Sequence, residues 1–272
     1  MQTVKLNDGH AMPQLGLGVW QTPEADAPVV VKAALDAGYR HVDTAAIYGN
    51  ERGVGAGLKS AGVKREDIFL TTKLWNDRQG YDSALTACAR SLERLGTDTL
   101  DLYLIHWPAP KQNQFVDSWK ALIELKKQGR ARSIGVSNFN ADHLERIIGE
   151  TGVVPAVNQV ELHPRFQQRA LREFHAHHGI ATESWSPLGQ GKLLADAALA
   201  AIAKKHGRSA AQVILRWHLQ QGLIVIPKSV TPARIRENFA VFDFALDADD
   251  MKRIDALDQK DGRIGPSPLQ FP

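Results

Sequence analysis

Short apolar runs alternate with helix-like segments about eight times along this chain, and no other feature constrains its fold as strongly. Val4 to Leu6 and Met12 to Leu15 read as two short strands around the turn Asn7-Asp8-Gly9, a hairpin. Leu15 to Trp20 reads as the first buried strand, and Ala25 to Ala37 as the first helix, stopped by Gly38. The pattern then repeats. Strands are expected at His41–Asp43, Ile68–Lys73, Leu100–His106, Ser133–Ser137, Ala156–Glu161, Ile180–Trp185 and Leu223–Ile226. Helices are expected at Glu51–Ser60, Ser83–Leu95, Phe115–Gln128, Ala141–Gly149 and Gln168–His178, then as a pair at Ala197–His206 and Ala210–Gln220. Pro232–Phe239 and Ala248–Leu257 close the chain as helices. Such alternation implies a parallel sheet, and largely continuous apolar strands are those buried on both faces. The expected fold is α/β: a single (β/α)8 TIM barrel over residues 1–272, with an N-terminal β-hairpin and a C-terminal extra helix. The 272 residues suit a barrel of roughly 250. An open doubly wound sheet is the alternative, but its phosphate-binding glycine signature is missing. Gly16-x-Gly18 lacks the third glycine, and Gly53-x-Gly55-x-Gly57 lies in the wrong context.

Composition narrows the function classes. With 43% hydrophobic and 23% charged residues the chain has an ordinary soluble balance. A net charge of +3, with Lys and Arg scattered, does not imply nucleic acid, although it suits small anions. The one cysteine, Cys88, sits mid-pattern in a helix-like stretch and reads as a buried structural thiol. It excludes an internal disulfide framework and fits a reducing cytoplasm. The start Met1-Gln2-Thr3-Val4-Lys5 has no apolar core of signal-peptide length, and no run of about 18 apolar residues occurs. The expectation is a soluble cytoplasmic protein without membrane association.

In a barrel, chemistry gathers at the C-terminal ends of the strands. Those ends carry Asp43, Lys73, His106, Ser137-Asn138, Gln159, Trp185 and Lys228. Taken alone, Asp43 could cap a turn and Tyr48 could simply pack. Seven strands finishing in polar or aromatic residues point instead to a functional rim. A phenol has a pKa near 10, an adjacent ammonium favours its phenolate, and a carboxylate holds the ammonium in place. Tyr48 beside Lys73, with Lys73 paired to Asp43, is therefore expected to be a proton donor tuned toward working pH. His106 is expected to orient a substrate oxygen. This is machinery for protonating a carbonyl oxygen while something else attacks the carbon. No metal ligand set is evident, and His175, His177 and His178 read as a solvated helix face.

The run D-T-A-A-I-Y-G-N-E (43–51), T-T-K-L-W (71–75), D-L-Y-L-I-H-W-P (101–108), G-V-S-N-F (135–139), N-Q-V-E-L-H-P (158–164) and I-P-K-S-V (226–230), with Arg234, Glu237 and Asn238, resemble the aldo-keto reductases. The likeness spans nearly the whole chain, and within the family it is strongest to the bacterial 2,5-diketo-D-gluconate reductases. It implies one barrel domain binding NADPH extended across the rim, with Asp43, Tyr48, Lys73 and His106 as catalytic residues. It further implies that Ser137, Asn138 and Gln159 hold the carboxamide and that Trp185 stacks on the nicotinamide. Leu188, Gln190 and Gly191 would line the pyrophosphate path. Lys228, Ser229 and Arg234 would meet the 2′-phosphate, with Glu237 and Asn238 toward the adenine. Trp20, Asn50, Trp75 and Trp107, with His106, would wall the substrate pocket.

Two features limit that transfer. The loop Ser186 to Leu194 is too short for a long clasp over the cofactor, and the tail after Leu257 is brief and Pro-rich (Pro266, Pro268, Pro272). Since this segment helps to select substrates in the family, the substrate stays open at a small polar aldehyde or ketone, keto-sugar acids favoured. The chain is expected to act as a monomer. Two rival readings are a Schiff-base aldolase with Lys73 as nucleophile and a non-catalytic NADPH-binding subunit. Pairing with Asp43 argues against the first, because a paired ammonium is unreactive. The complete tetrad argues against the second.

Overall fold

The computed structural model describes residues 2–272; Met1, the first residue of the N-terminal run, lies outside them. Strands β1 (Thr3–Lys5) and β2 (Ala11–Pro13) form the antiparallel hairpin. Eight further strands make one parallel sheet in chain order: β3 (Leu17–Gly18), β4 (His41–Asp43), β5 (Phe69–Leu74), β6 (Leu100–Ile105), β7 (Ala131–Ser137), β8 (Val157–Glu161), β9 (Ala181–Trp185) and β10 (Ile224–Val225). Parallel bridges Leu15↔Val225 and Gly18↔Lys228 join its first edge to its last. The expected (β/α)8 barrel is thus closed, as the alternation required. Gly18 permits the closure, because a Cβ there would lie 2.9 Å from the Ile226 carbonyl oxygen. The first and last strands are shorter than expected, since closure proceeds through these single bridges rather than a continuous ladder.

The helices are α1 (Ala27–Asp36), α2 (Glu51–Ser60), α3 (Tyr81–Leu95), α4 (Phe115–Lys127), α5 (Ala141–Thr151), α6 (Arg169–His178), α7 (Ala197–His206), α8 (Ala210–Gln220), α9 (Pro232–Phe239) and α10 (Ala248–Asp255). Their apolar stripes pack on the outward faces of the strands; Trp119 of α4 and Leu92 of α3 belong to one continuous core with Tyr103 and Ile105 of β6. The hairpin plugs the N-terminal mouth, where Leu6 and Met12 meet Phe69, Leu102, Val157 and Ile224. With that mouth shut, only the opposite rim opens on solvent. Helix α10, the expected extra element, docks on α7 through Lys205 and His206, which reach Asp250 at 2.9 and 2.7 Å. Among the described residues no helix is long and apolar enough to cross a membrane.

The histidines of α6 depart from expectation. His177 is exposed, but His175 is buried: Asn158 donates to its Nε2 at 2.9 Å, and its Nδ1 lies 2.9 Å from Thr182 Oγ1. Spacing along one helix cannot report two neighbouring strands, β8 and β9, that each supply a polar partner. Cys88 is buried, and burial pushes its thiol up to about 12, in keeping with a structural role.

Candidate active site

The rim side chains converge because parallel strands in register set their C-terminal ends at one level. Asp43 closes β4, Lys73 stands near the end of β5, and His106 follows β6 directly. The loop after β4 forms a 3₁₀ turn over Ala46–Tyr48, which folds Tyr48 back over the strand ends. Lys73 is fully buried and donates to Asp43 Oδ1 at 2.6 Å and to the Thr44 carbonyl at 2.9 Å. Its Nζ lies 5.2 Å from the centroid of the Tyr48 ring. That ring meets His106 edge-on at 5.7 Å, and Trp75 also meets His106 edge-on at 5.2 Å.

Electrostatics follow from this packing. Burial works to lower the Lys73 pKa, yet the Asp43 charge and Tyr48 outweigh it and hold the ammonium above its ordinary value. Burial pushes the Asp43 carboxyl up, against the Lys73 charge and the hydrogen bonds it accepts. Tyr48 does not behave as expected. The Lys73 charge pulls its phenol down, but burial and the nearby Asp43 and Glu183 carboxyls win, and its pKa is raised. Tyr48 therefore keeps its proton across the neutral range, and Lys73 moderates that rise without reversing it. Burial and the Lys73 charge hold His106 well below the usual imidazole range, so it is neutral. Its Nδ1 has no hydrogen-bond partner among the described residues.

Above this cluster lies a cavity of about 520 Å³, lined by Asp43, Tyr48 and His106 and walled by Trp20, Trp75, Trp107, Trp185 and Phe271. A groove of about 760 Å³ continues from it past Leu188, Gln190 and Gly191 to Lys228, Ser229, Arg234, Glu237 and Asn238. The two share Trp20, Gln21, Ser186, Pro187, Gln190 and Lys228 as walls, so they form one elongated channel. Every residue expected along the pyrophosphate, 2′-phosphate and adenine path borders it.

Three expected residues are differently employed. Asn50 is buried off the cavity: it accepts from Thr44 Oγ1 at 2.7 Å and donates to the Val19 and Thr22 carbonyls, so it pins the loop after β3 instead of walling the pocket. A buried amide needs partners, and backbone carbonyls supply them here. Ser137 is also buried off the cavity, with its hydroxyl donating to the Gln159 carbonyl and accepting from Asn138 Nδ2. Asn138 borders the cavity, but its Nδ2 serves His106 and Ser137, and its Oδ1 accepts the Trp185 indole N–H at 2.8 Å. Asn138 thereby fixes the Trp185 ring plane and retains one lone pair for a further donor.

A family model described as the Aldo/keto reductase family matches residues 12–259. The chain belongs to the aldo/keto reductase family. An aldo-keto reductase of Mycolicibacterium smegmatis is 59% identical over 268 residues, covering 98% of this chain and 97% of the relative. The methylglyoxal reductase DkgA of Escherichia coli is 52% identical over 275 residues, with 98% and 97% covered. Among solved structures, a mutant of Gox0644 in complex with NADPH superposes with a TM-score of 0.97 at 60% identity, covering 100% of this chain and 98% of that one.

Beneath the tetrad positions, this aldo-keto reductase carries a buried layer that the strand ends do not reveal. Glu183, in mid-β9, accepts from Gln159 Nε2 at 2.8 Å and stands 3.6 Å from His41 Nε2. His41, Asp43 and Glu183 could together ligate a cation, but Lys73 already places one against Asp43. The signal was in the sequence: a strand buried on both faces has no place for an unpaired Glu, so A-T-E-S-W (181–185) demanded a partner.

Proposed function

We propose that this chain is an NADPH-dependent carbonyl reductase in which Tyr48 protonates the carbonyl oxygen of a small polar aldehyde or ketone. The observation that carries the reading is the channel: one end presents Tyr48 and His106, the exposed Lys228 stands where the cavity meets the groove, and the exposed Arg234 lines the groove beyond. The donor set fits NADPH. Arg234 offers a planar fork for the 2′-phosphate, Lys228 adds charge, and the fixed Trp185 indole gives a flat wall for the nicotinamide. When bound, NADPH supplies the hydride that attacks the carbonyl carbon.

The protein's share is the proton and the geometry. Neutral His106 orients the carbonyl oxygen toward the phenol of Tyr48. Tyr48 gives up its proton as negative charge grows on that oxygen, and the Lys73 ammonium, held by Asp43 and Thr44, stabilises the phenolate left behind. Solvent returns the proton to Tyr48 after product leaves. A Schiff base on Lys73 has no support, because its Nζ is buried beneath the cavity and charged.

Four indoles and Phe271 make the cavity narrow, and Lys228 is the one cation on its wall. With Lys228 turned to the cofactor, uncharged dicarbonyls such as methylglyoxal fit better than keto-sugar acids. The relative named as a methylglyoxal reductase agrees with that choice. The single buried thiol suits a reducing cytoplasm.

The test is NADPH oxidation with methylglyoxal and 2,5-diketo-D-gluconate, in wild type and Tyr48→Phe. General acid catalysis is typically worth ~10²–10⁴-fold, so the variant should lose at least about a hundredfold in kcat while binding NADPH as tightly as wild type. A variant that reduces either substrate within a factor of a few of wild type removes Tyr48 from the acid role.

A further inference from the structure

Gln159 is held from below by two carboxyl groups. Its Nε2 donates to Asp43 Oδ2 at 2.8 Å and to Glu183 Oε2 at 2.8 Å. An amide nitrogen has two hydrogens, and both are thus assigned. What Gln159 turns to the cavity it borders is its carbonyl oxygen. Reversing the amide would set Oε1 against Asp43 Oδ2 with no proton between them. Asp43 cannot turn away, because its other oxygen is held by Lys73 at 2.6 Å.

Glu183 is the second half of the clamp. It is buried opposite Gln159 in the β8–β9 ladder. The ionisable groups facing it are Asp43 and His41 from β4 and Lys73 from β5, with Tyr48 beyond. Burial and the Asp43 charge push its carboxyl up to about 8, so it holds a proton at neutral pH. His41 is neutral, held at about 3 by burial and Lys73, and its Nε2 lies 3.6 Å from Glu183 Oε1. Oε1 has no other partner among the described residues, so it is the oxygen free to carry the proton. Oε2 is then the carbonyl-like acceptor that the Gln159 amide needs.

We propose that Glu183 is a positioning residue for hydride transfer: with Asp43 it sets the face of the Gln159 amide, so that Gln159 accepts a hydrogen bond from the nicotinamide carboxamide N–H₂. The proposal rests on the NADPH reading above. It assigns a function to a mid-strand acid outside the tetrad, and it makes Gln159 an acceptor whose direction is enforced from beneath.

Cofactor affinity tests it without turnover. The probes are NADPH, its 3-acetylpyridine analogue, which lacks the carboxamide N–H₂, and adenosine 2′,5′-bisphosphate, which lacks the nicotinamide. Glu183→Leu and Glu183→Met remove the acceptor; Glu183→Gln keeps a carbonyl oxygen toward Gln159. One neutral hydrogen bond corresponds to roughly three- to tenfold in affinity. Both apolar variants should lose about that factor for NADPH and nothing for the bisphosphate, and Glu183→Gln should restore most of the loss. Wild type should prefer NADPH to the acetylpyridine analogue by a similar factor, a comparison that needs no variant to fold. Equal wild-type affinity for those two, or apolar variants that bind NADPH as wild type does, would overturn the proposal. Loss of the bisphosphate together with NADPH in both apolar variants would also overturn it, because Glu183 would then support the whole groove. Failure of wild type to bind NADPH at all would sink the functional reading itself.

Discussion

At the scale of single residues, the tetrad positions were legible because chemistry and topology agreed. Asp43, Lys73 and His106 end apolar runs, and parallel strands bring such ends together. Tyr48, Asn50 and Ser137 show what a sequence withholds. Whether a phenol is lowered by an ammonium or raised by burial depends on packing, and whether an amide faces a pocket depends on which backbone carbonyls pass nearby. Arg234 lies between these cases: it is exposed on α9 at the far end of the groove, with Lys228 and Ser229 lining the same stretch. A hydrogen bond to a charged group contributes roughly 1.5–3 kcal/mol net, or roughly ten- to over a hundredfold in affinity. Arg234→Ala should weaken NADPH by about that factor and leave NADH nearly unchanged, and the penalty should shrink in high salt. Titration by tryptophan fluorescence separates the two cofactors. Equal losses would show that Arg234 does not read the 2′-phosphate.

At the scale of elements, strands and helices were readable from runs and periods, whereas the path of the C-terminal tail was not. Its anchors are backbone N–H groups, which leave no mark on a sequence. Glu161, ending β8, accepts from the Ile264 and Gly265 amides at 2.5 and 2.8 Å, and His163 Nε2 lies 3.1 Å from the same carboxylate. Burial opposes ionisation of Glu161, but these hydrogen bonds prevail and hold its pKa below the usual range. The chain then passes over Trp185 so closely that a Cβ on Gly265 would lie 2.5 Å from the indole. Farther on, Phe271 packs 4.4 Å from Trp107 and 6.0 Å from Trp75, which makes the tail a wall of the cavity. Glu161→Gln turns one acceptor into a donor that faces an N–H. The amides of Ile264 and Gly265 should then exchange with deuterium about ten- to a hundredfold faster, the scale of a charge-assisted hydrogen bond. The carbonyl substrate's KM should rise with it. Unchanged exchange in the tail would show that Glu161 is not its latch.

At the scale of the whole molecule, closing the barrel buries polar groups that the unfolded chain leaves in water, and stability must therefore depend on pH. Burial is the main cause in each case: it holds His41 and His175 at about 3 and His218 at about 4, and it lowers His106 and His143 as well. In the unfolded chain these imidazoles take up protons below about 6.5, while the folded chain refuses them. The unfolded state then binds more protons, so stability falls as pH drops from that value toward 3 to 4. Glu183 acts in the opposite sense. Its carboxyl ionises near 4.5 when unfolded but near 8 when folded, so its contribution is complete below the first value and lost as pH rises through the second. Between 4.5 and 6.5 the histidines outnumber it; from 6.5 to 8 it acts against a level histidine term. Each unmatched proton is worth on the order of 1 kcal/mol per pH unit. The melting temperature, followed by circular dichroism, should therefore peak near pH 6.5 and decline on both sides, more steeply toward acid. Glu183→Gln cannot ionise, so it should flatten the alkaline decline and steepen the acid limb between pH 4.5 and 6.5, where Glu183 opposes the histidines. A wild-type curve that stays level from pH 6.5 to 8, or a variant that keeps the decline, would show that the proton is not on Glu183.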